Sequence, residues 1–562
     1  MISKSKKKNH SGLAKLLAIS FFISALFIVL INFDTGAVSW PQSDNLYAVC
    51  RLLQSNCLTE DFFTNSSSDI SPRHPYIYFL SGITKIANNG IGGGLAVIKA
   101  LLLLLLPIVI SLIFIVAISG HMRNKSKVQL VISPANIITI ISAPLFVYFL
   151  ISKFGAILSI GWWRPIRFDP NPHNFSLLFT ISGFLFLWFN KKRTGAIFII
   201  TGTIIHPAVA FFSSIFSLIS LCKFNSIKDT SRFACIGLGA NIIGAILVKI
   251  FFEETNLEIS PQEFVRIYAF EAHPFHYIPS QFESSIRIPW FVSFSLLSLG
   301  LLVVTIILYQ LNSIIWINSF FAFITYVSSV LIQYLFVEIN QIKLIAQIGP
   351  SRFSMFGMWF LFIFYFIAAL KIFNTNQFFL KLSKIIYQKI ASARWIYIFV
   401  CYSVLGSLVV SYAFKSSHFD VPDEDKMLAT FATTQTDLSD VFILPFTAPS
   451  TIFPLKTGRA IFFGSGFVFS EKYFKEWEER KVFNWGRQAE IVNLPGKWIG
   501  EKYANHYRSL LPKDFLEISK KYKIDWVVIE ADHSKNFLDC KHDFYSQKYK
   551  VYFLGTLHEC IL

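Results

Sequence analysis

The sequence predicts an α-helical polytopic membrane protein with about 11 transmembrane helices over residues 1–414 and a C-terminal soluble α/β domain over residues 415–562. Three observations predict this class. Of the 562 residues, 54% are hydrophobic, 15% are charged and 61 are phenylalanine, with a mean hydropathy of +0.52. A soluble chain carries roughly a quarter charged residues, so the soluble enzymes are excluded. The apolar residues fall in runs of about 20, each enough to cross a hydrocarbon layer of roughly 30 Å. From about residue 415 the composition turns to charged and turn-forming residues, and the apolar runs shorten to strand length.

The spans are read near 13–32, 95–118, 128–152, 175–190, 195–206, 208–222, 233–252, 288–310, 314–337, 353–373 and 394–414. Lys4, Lys6, Lys7, Lys8 and Lys15 come before the apolar stretch that runs to Ile31, and no small-residue cleavage site follows it, so it reads as an uncleaved span. The stretch Gly195–Leu221 reads either as one tilted helix or as two short ones broken at His206-Pro207. Charge decides between them. With two helices, the basic loops Arg123-Lys125-Lys127, Lys191-Lys192-Arg193, Lys223-Lys228-Arg232 and Lys381-Lys384-Lys389-Arg394 all share the side of the basic N-terminus. That side is the cytoplasm, and residues 415–562 then lie outside. A short span exposes backbone groups that only protein or a water-filled cavity can satisfy, which places His206 beside a cavity.

In the C-terminal part, helical-looking stretches at Asp425–Thr434 and Asp514–Tyr522 precede strand-like runs at Val441–Leu444 and Trp526–Ile529. This is the order of an α/β unit with a partly parallel sheet. Trp477, Trp485, Trp498 and Trp526 read mainly as its core, with stacking on a glycan the alternative. Between Phe378 and Ile390, apolar residues at helical spacing alternate with lysines, the pattern of a helix lying on the cytoplasmic leaflet. Cys50 with Cys57, and Cys540 with Cys560, form two pairs that an oxidising face could close or that could remain thiols.

The formal charge of +17 comes largely from lysines and arginines in short loops beside apolar runs, where they set orientation; no nucleic-acid partner is implied. The unusual polar residues gather on the outer side. The loop Asn32–Pro75 is far longer than a connection between spans requires, and carries Asp34, Asp44, Glu60, Asp61, Asp69, Arg73 and His74. Gly161-Trp162-Trp163-Arg164-Pro165-Ile166-Arg167-Phe168-Asp169, followed by His173, sets two guanidiniums beside two indoles, and arginine grips phosphate or stacks on aromatic rings. Glu271-Ala272-His273-Pro274-Phe275-His276-Tyr277 and Gln347-Ile348-Gly349-Pro350-Ser351-Arg352 complete the set.

Carboxylates, imidazoles and guanidiniums on one face suit attack of an acceptor hydroxyl on a sugar whose leaving group is a lipid phosphate. A carboxylate takes the hydroxyl proton, and fixed positive charge receives the departing phosphate. Each residue also has a plainer reading. His206 can bond a carbonyl freed by Pro207, Trp162 and Trp163 can anchor at the interface, and Arg352 can snorkel to headgroups. His273 and His276 stand three apart, a metal-ligand spacing, but Pro274 between them opposes a regular helix.

Ser43-Asp44-Asn45-Leu46-Tyr47 resembles the Asp-Glu-x-Tyr-like start of the first outer loop in GT-C-fold glycosyltransferases, which take sugars from polyprenyl-phosphate donors. Leu58-Thr59-Glu60-Asp61-Phe62-Phe63, Ser71-Pro72-Arg73, Ile205-His206-Pro207, the His273–Tyr277 segment and Gly349-Pro350-Ser351-Arg352 resemble a bacterial group of GT-C-like membrane proteins with an outer α/β domain. The resemblance implies a GT-C-like fold and transfer of a sugar from a polyprenyl-phosphate-linked donor in the bilayer to an outward-facing glycan, lipid or protein acceptor. It implies multi-pass location in a bacterial cytoplasmic (inner) membrane. Asp44 would be the acceptor-activating base and Asp61 a second carboxylate for acceptor or metal, with Asn45 standing where a second acidic residue is usual. Arg73, His74, Arg164, Arg167, His206, His273, His276 and Arg352 would bind substrate. The resemblance implies no particular cofactor and leaves a divalent cation open. Two other readings stand beside this one: a non-enzymatic transporter or flippase of lipid-linked glycan, and a GT-C scaffold that binds such a glycan without turnover.

Overall fold

The computed structural model describes residues 43–121, 170–375 and 423–560 apart from short breaks, with isolated residues between 139 and 150 and between 400 and 406. The spans read at 13–32, 128–152 and 394–414, and the surface helix at 378–390, lie outside the described residues or touch them only at isolated positions. The other spans read from the sequence fall on helices at Gly90–His121, Pro172–Trp188, Lys192–Ile205, Pro207–Leu221, Ile227–Phe252, Ser284–Gln310, Trp316–Gln333 and Phe356–Thr375. Among the described residues, five helices are long and apolar enough to cross a membrane. Their outward faces are apolar, with Ile242, Ile250, Phe291 and Leu299 more than half exposed. Side chains of this kind gain nothing from water and match hydrocarbon.

The chain breaks at His206, whose backbone is extended (φ −157°, ψ 95°) between the Lys192–Ile205 and Pro207–Leu221 helices. Pro207 lacks an N–H and fits the first position of the second helix. The Pro172–Trp188 and Lys192–Ile205 helices cross where Gly183 meets Gly195. A Cβ on Gly195 would lie 2.7 Å from the Leu187 Cδ2 and 2.8 Å from the Gly183 carbonyl oxygen. Without a hydrophobic driving force between helices in lipid, such close backbone packing holds them together.

The two ends of this bundle differ. At one end the His121 Nε2 meets the Ser220 carbonyl at 2.8 Å, and the Asn318 amide donates to the Ile219 and Cys222 carbonyls at 2.7 Å each. Trp188 packs at Gly120 on the same end, just before Lys191, Lys192 and Arg193. The other end holds His173, His206, Arg352 and a five-stranded sheet.

The sheet consists of β1 (Val441–Ile443), β2 (Ala460–Ile461), β3 (Trp526–Glu530), β4 (Phe544–Tyr545) and β5 (Tyr549–Phe553), in the order β2-β1-β3-β5-β4. β1 runs parallel to β2 and β3, and β5 runs antiparallel to β3 and β4. β1 and β3 are buried along their whole length, as strands covered on both faces are. The segment from Ser43 to Pro75 contributes to the same core. Tyr47, Phe62 and Phe63 cluster with Phe462, Phe463, Phe467 and Trp477, and the Tyr47 hydroxyl donates to the Ser450 carbonyl at 3.1 Å. Trp477 and Trp526 are buried, Trp485 is half-buried, and Trp498 lies outside the described residues. Cys50 and Cys57 form a disulfide with a Cα–Cα distance of 5.9 Å, and Cys540 is also disulfide-bonded.

Candidate functional site

His206 sits at the break between its two helices because Pro207 cannot continue the first one. Its Nδ1 accepts the Val209 N–H at 3.4 Å, and its carbonyl accepts the Ser176 hydroxyl at 3.0 Å. The His173 ring lies 4.3 Å away, centre to centre, placed by the helix that Asn171 caps through an acceptor bond from Asn174. The guanidiniums of Arg352 and Arg73 are close enough to act electrostatically on His206.

Arg352 reaches this point through a turn that needs glycine. Gly349 closes the Lys343–Ile348 helix at φ 64°, a left-handed conformation that costs other residues roughly 1–2 kcal/mol. Pro350 then starts the 3₁₀ turn Pro350–Met355. The Ser351 N–H faces the buried Gln333 Oε1 at 3.4 Å.

Arg73 and His74 come from the start of the His74–Ala87 helix. The Ser71 N–H donates to the His74 Nδ1 at 2.9 Å, which leaves the neutral ring's proton on Nε2. Burial holds the His74 pKa below its ordinary value, against the weaker pull of its hydrogen bonds and Asp69. The Arg73 Nη1 donates to the Phe467 carbonyl at 3.2 Å. His273 ends the π-helix Arg266–Ala272, an irregularity frequent at functional sites. Its ring lies 5.1 Å from both the Tyr268 and Phe467 rings. Ring contact joins His173 to His206, and Phe467 meets both Arg73 and His273, while the charges of Arg352 and Arg73 act on His206.

Of the carboxylates, Asp61 and Glu271 are held in buried hydrogen bonds that tie segments together. Asp44 lies in the first turn of the Ser43–Leu53 helix. Asp61 is fully buried and caps the Phe62–Ser66 helix, accepting the Thr64 N–H at 2.7 Å and the Thr64 hydroxyl at 2.8 Å. Its other oxygen accepts the Ile461 N–H at 3.4 Å, joining the first loop to β2. Burial raises its pKa despite these bonds and the nearby Arg480. Glu271 accepts from the Lys481 Nζ at 2.6 Å and from the Gln488 N–H at 3.0 Å, a buried tie to the sheet unit. Arg164, Arg167 and His276 lie outside the described residues. Among the described residues, no group of three or more His, Cys, Asp or Glu side chains gathers as metal ligands.

The sequence named His173 only in passing and did not choose Tyr268 or Phe467. Nothing local marks Phe467 as a neighbour of Arg73, from which it is 394 positions distant.

These residues define a polytopic helical membrane protein, one end of which carries a sheet unit and a cluster of guanidiniums and imidazoles. No protein-family model matches the chain, and no curated protein matches it. Solved structures similar to it include the Archaeoglobus fulgidus oligosaccharyltransferase in the apo form. That likeness has 11% identity and a TM-score of 0.44, over 93% of this chain and 70% of that one. The same enzyme tethered by a disulfide to an acceptor peptide with the NVT sequon gives 12% identity and a TM-score of 0.43, over 91% and 69%.

Proposed function

We propose that the chain is a GT-C-like glycosyltransferase that moves a sugar from a polyprenyl-phosphate donor to an outward-facing glycan, lipid or protein acceptor. The observation that carries this reading is the gathering of Arg73, His173, His206 and Arg352 at one end of an apolar bundle. Fixed cations at a lipid boundary suit an anionic headgroup whose hydrocarbon tail stays in the bilayer. The acceptor oxygen attacks the anomeric carbon while the bond from that carbon to the phosphate oxygen breaks. The electron pair leaves with the polyprenyl phosphate, which the two guanidiniums stabilise. The acceptor proton passes to a carboxylate, for which Asp44 is the candidate through its motif, whereas Asp61 serves as a structural pin.

In this reading the N-terminus is cytoplasmic, the cluster opens to the outer face, residues 415–562 form an extracytoplasmic α/β domain, and the membrane is a bacterial inner membrane crossed about 11 times. The Cys50–Cys57 disulfide suits an oxidising face. Lys191, Lys192 and Arg193, at the opposite end of the bundle, suit a cytoplasmic one. The test is transfer in proteoliposomes from a panel of radiolabelled polyprenyl-phosphate hexoses to endogenous glycolipid. Wild type transfers label, and Asp44→Asn and Arg352→Ala do not. Full transfer by both variants would refute the assignment.

A further inference from the structure

We infer that Phe467, in the loop after β2, is a positioning residue for the headgroup site, holding Arg73 and His273 in place so that the sheet unit completes it. This rests on the proposed function of that site. Phe467 offers Arg73 two features at once. Its carbonyl accepts from the Arg73 Nη1 at 3.2 Å, and its ring centre lies 6.0 Å from the guanidinium carbon. The same ring meets His273 edge-on at 5.1 Å and 62°, and Tyr268 at 5.7 Å and 64°.

Phe467 is itself firmly seated. It is 5% exposed and packs on Trp477 at 4.8 Å and Phe474 at 4.9 Å. The Trp477 indole N–H donates to the Gly466 carbonyl at 3.0 Å, fixing the backbone one residue away. The order of support runs from Trp477 to the Gly466-Phe467 loop, and from there to Arg73 and His273. A guanidinium on a flexible stem loses rotamer freedom when it binds phosphate. A partner that orders it beforehand lowers that loss and strengthens binding. A packing residue that merely filled the core would have no need to meet both a cation and an imidazole of one cluster.

The test is retention of undecaprenyl phosphate by the full-length protein in nanodiscs, titrated by native mass spectrometry, with melting temperature measured alongside. The variants are Arg73→Ala, Phe467→Leu, Phe467→Tyr and the double variant Arg73→Ala with Phe467→Leu. Phe467→Leu should weaken binding roughly tenfold, within the range of a cation–π contact, and Phe467→Tyr should restore it. In the Arg73→Ala background the same leucine should cost less than about twofold, because the guanidinium it positions is gone and only His273 remains. Wild-type affinity in Phe467→Leu, or an equal loss in both backgrounds, would overturn the inference. Wild-type affinity in Arg73→Ala would instead overturn the proposed function. If Phe467→Leu does not fold, Trp477→Phe carries the test. It keeps a ring against Phe467 but removes the bond to Gly466, and wild-type affinity there also overturns the inference.

Discussion

Asp61→Ala removes three accepted hydrogen bonds at once, from the Thr64 N–H at 2.7 Å, the Thr64 hydroxyl at 2.8 Å and the Ile461 N–H at 3.4 Å. Losing an N-cap acceptor costs about 1 kcal/mol. Leaving the Ile461 N–H buried without an acceptor adds about 1–3 kcal/mol, towards the lower end because the bond is long. The Thr64 hydroxyl can turn to another acceptor and adds little. The expected loss is about 2–4 kcal/mol, placed at the seam between the first loop and β2. Asn keeps an acceptor oxygen for the cap, so Asp61→Asn should cost about half as much. Thermal melting of the detergent-purified chain should show a lower transition for Asp61→Ala, and limited proteolysis should cut residues 43–87 sooner. A variant that melts and resists protease like wild type while losing all transfer would refute this reasoning and make Asp61 the base.

His74 gives a pH dependence with a definite sign. Its unfolded pKa is near 6.5 and its native pKa is lower, so between the two the unfolded chain binds more protons. Its contribution to stability is complete above about pH 6.5 and is lost as the pH falls below it. His506, lowered by burial in the same way, adds a slope of the same sign. His74→Gln should therefore flatten part of the fall in melting temperature between about pH 7.5 and 5.5, and an unchanged slope would count against the buried neutral ring. Lys481→Met strands Glu271 and should cost about 3–5 kcal/mol, while Glu271→Leu combined with Lys481→Met should cost less than Lys481→Met alone; melting that worsens in the double variant would contradict the pairing. Gly195→Ala drives a methyl against the Gly183 carbonyl and should destabilise the bundle by about 1–3 kcal/mol, which an unshifted melting curve would disprove.

Local signals carried well into the structure where a single segment determines the outcome. Among the described residues the long hydrophobic runs fall on helices, and the proline after His206 marks where one run breaks in two. The helix-then-strand order at Asp425–Thr434 with Val441–Leu444, and at Asp514–Tyr522 with Trp526–Ile529, matches the helices Asp423–Gln435 and Pro512–Ser519 before β1 and β3. Contacts between distant segments were not legible. Asp61 looks like a solvated loop acid until Ile461 arrives from 400 positions away. Glu271 looks like part of an acidic and imidazole-bearing loop until Lys481 and Gln488 enclose it. Phe467 has no motif, because its role is set by the loop after β2 returning to Arg73. His173 carried a weak mark, an imidazole one residue after an Asn-Pro helix start, but its pairing with His206 depends on how two helices cross.

A structure of the protein in nanodiscs with undecaprenyl phosphate tests the central claim most directly. Phosphate density within hydrogen-bonding distance of Arg73 or Arg352, beside His206 and with the prenyl chain leaving between apolar helices, is the expected result. Phosphate bound at the opposite end of the bundle, near His121 and Asn318, would contradict the account.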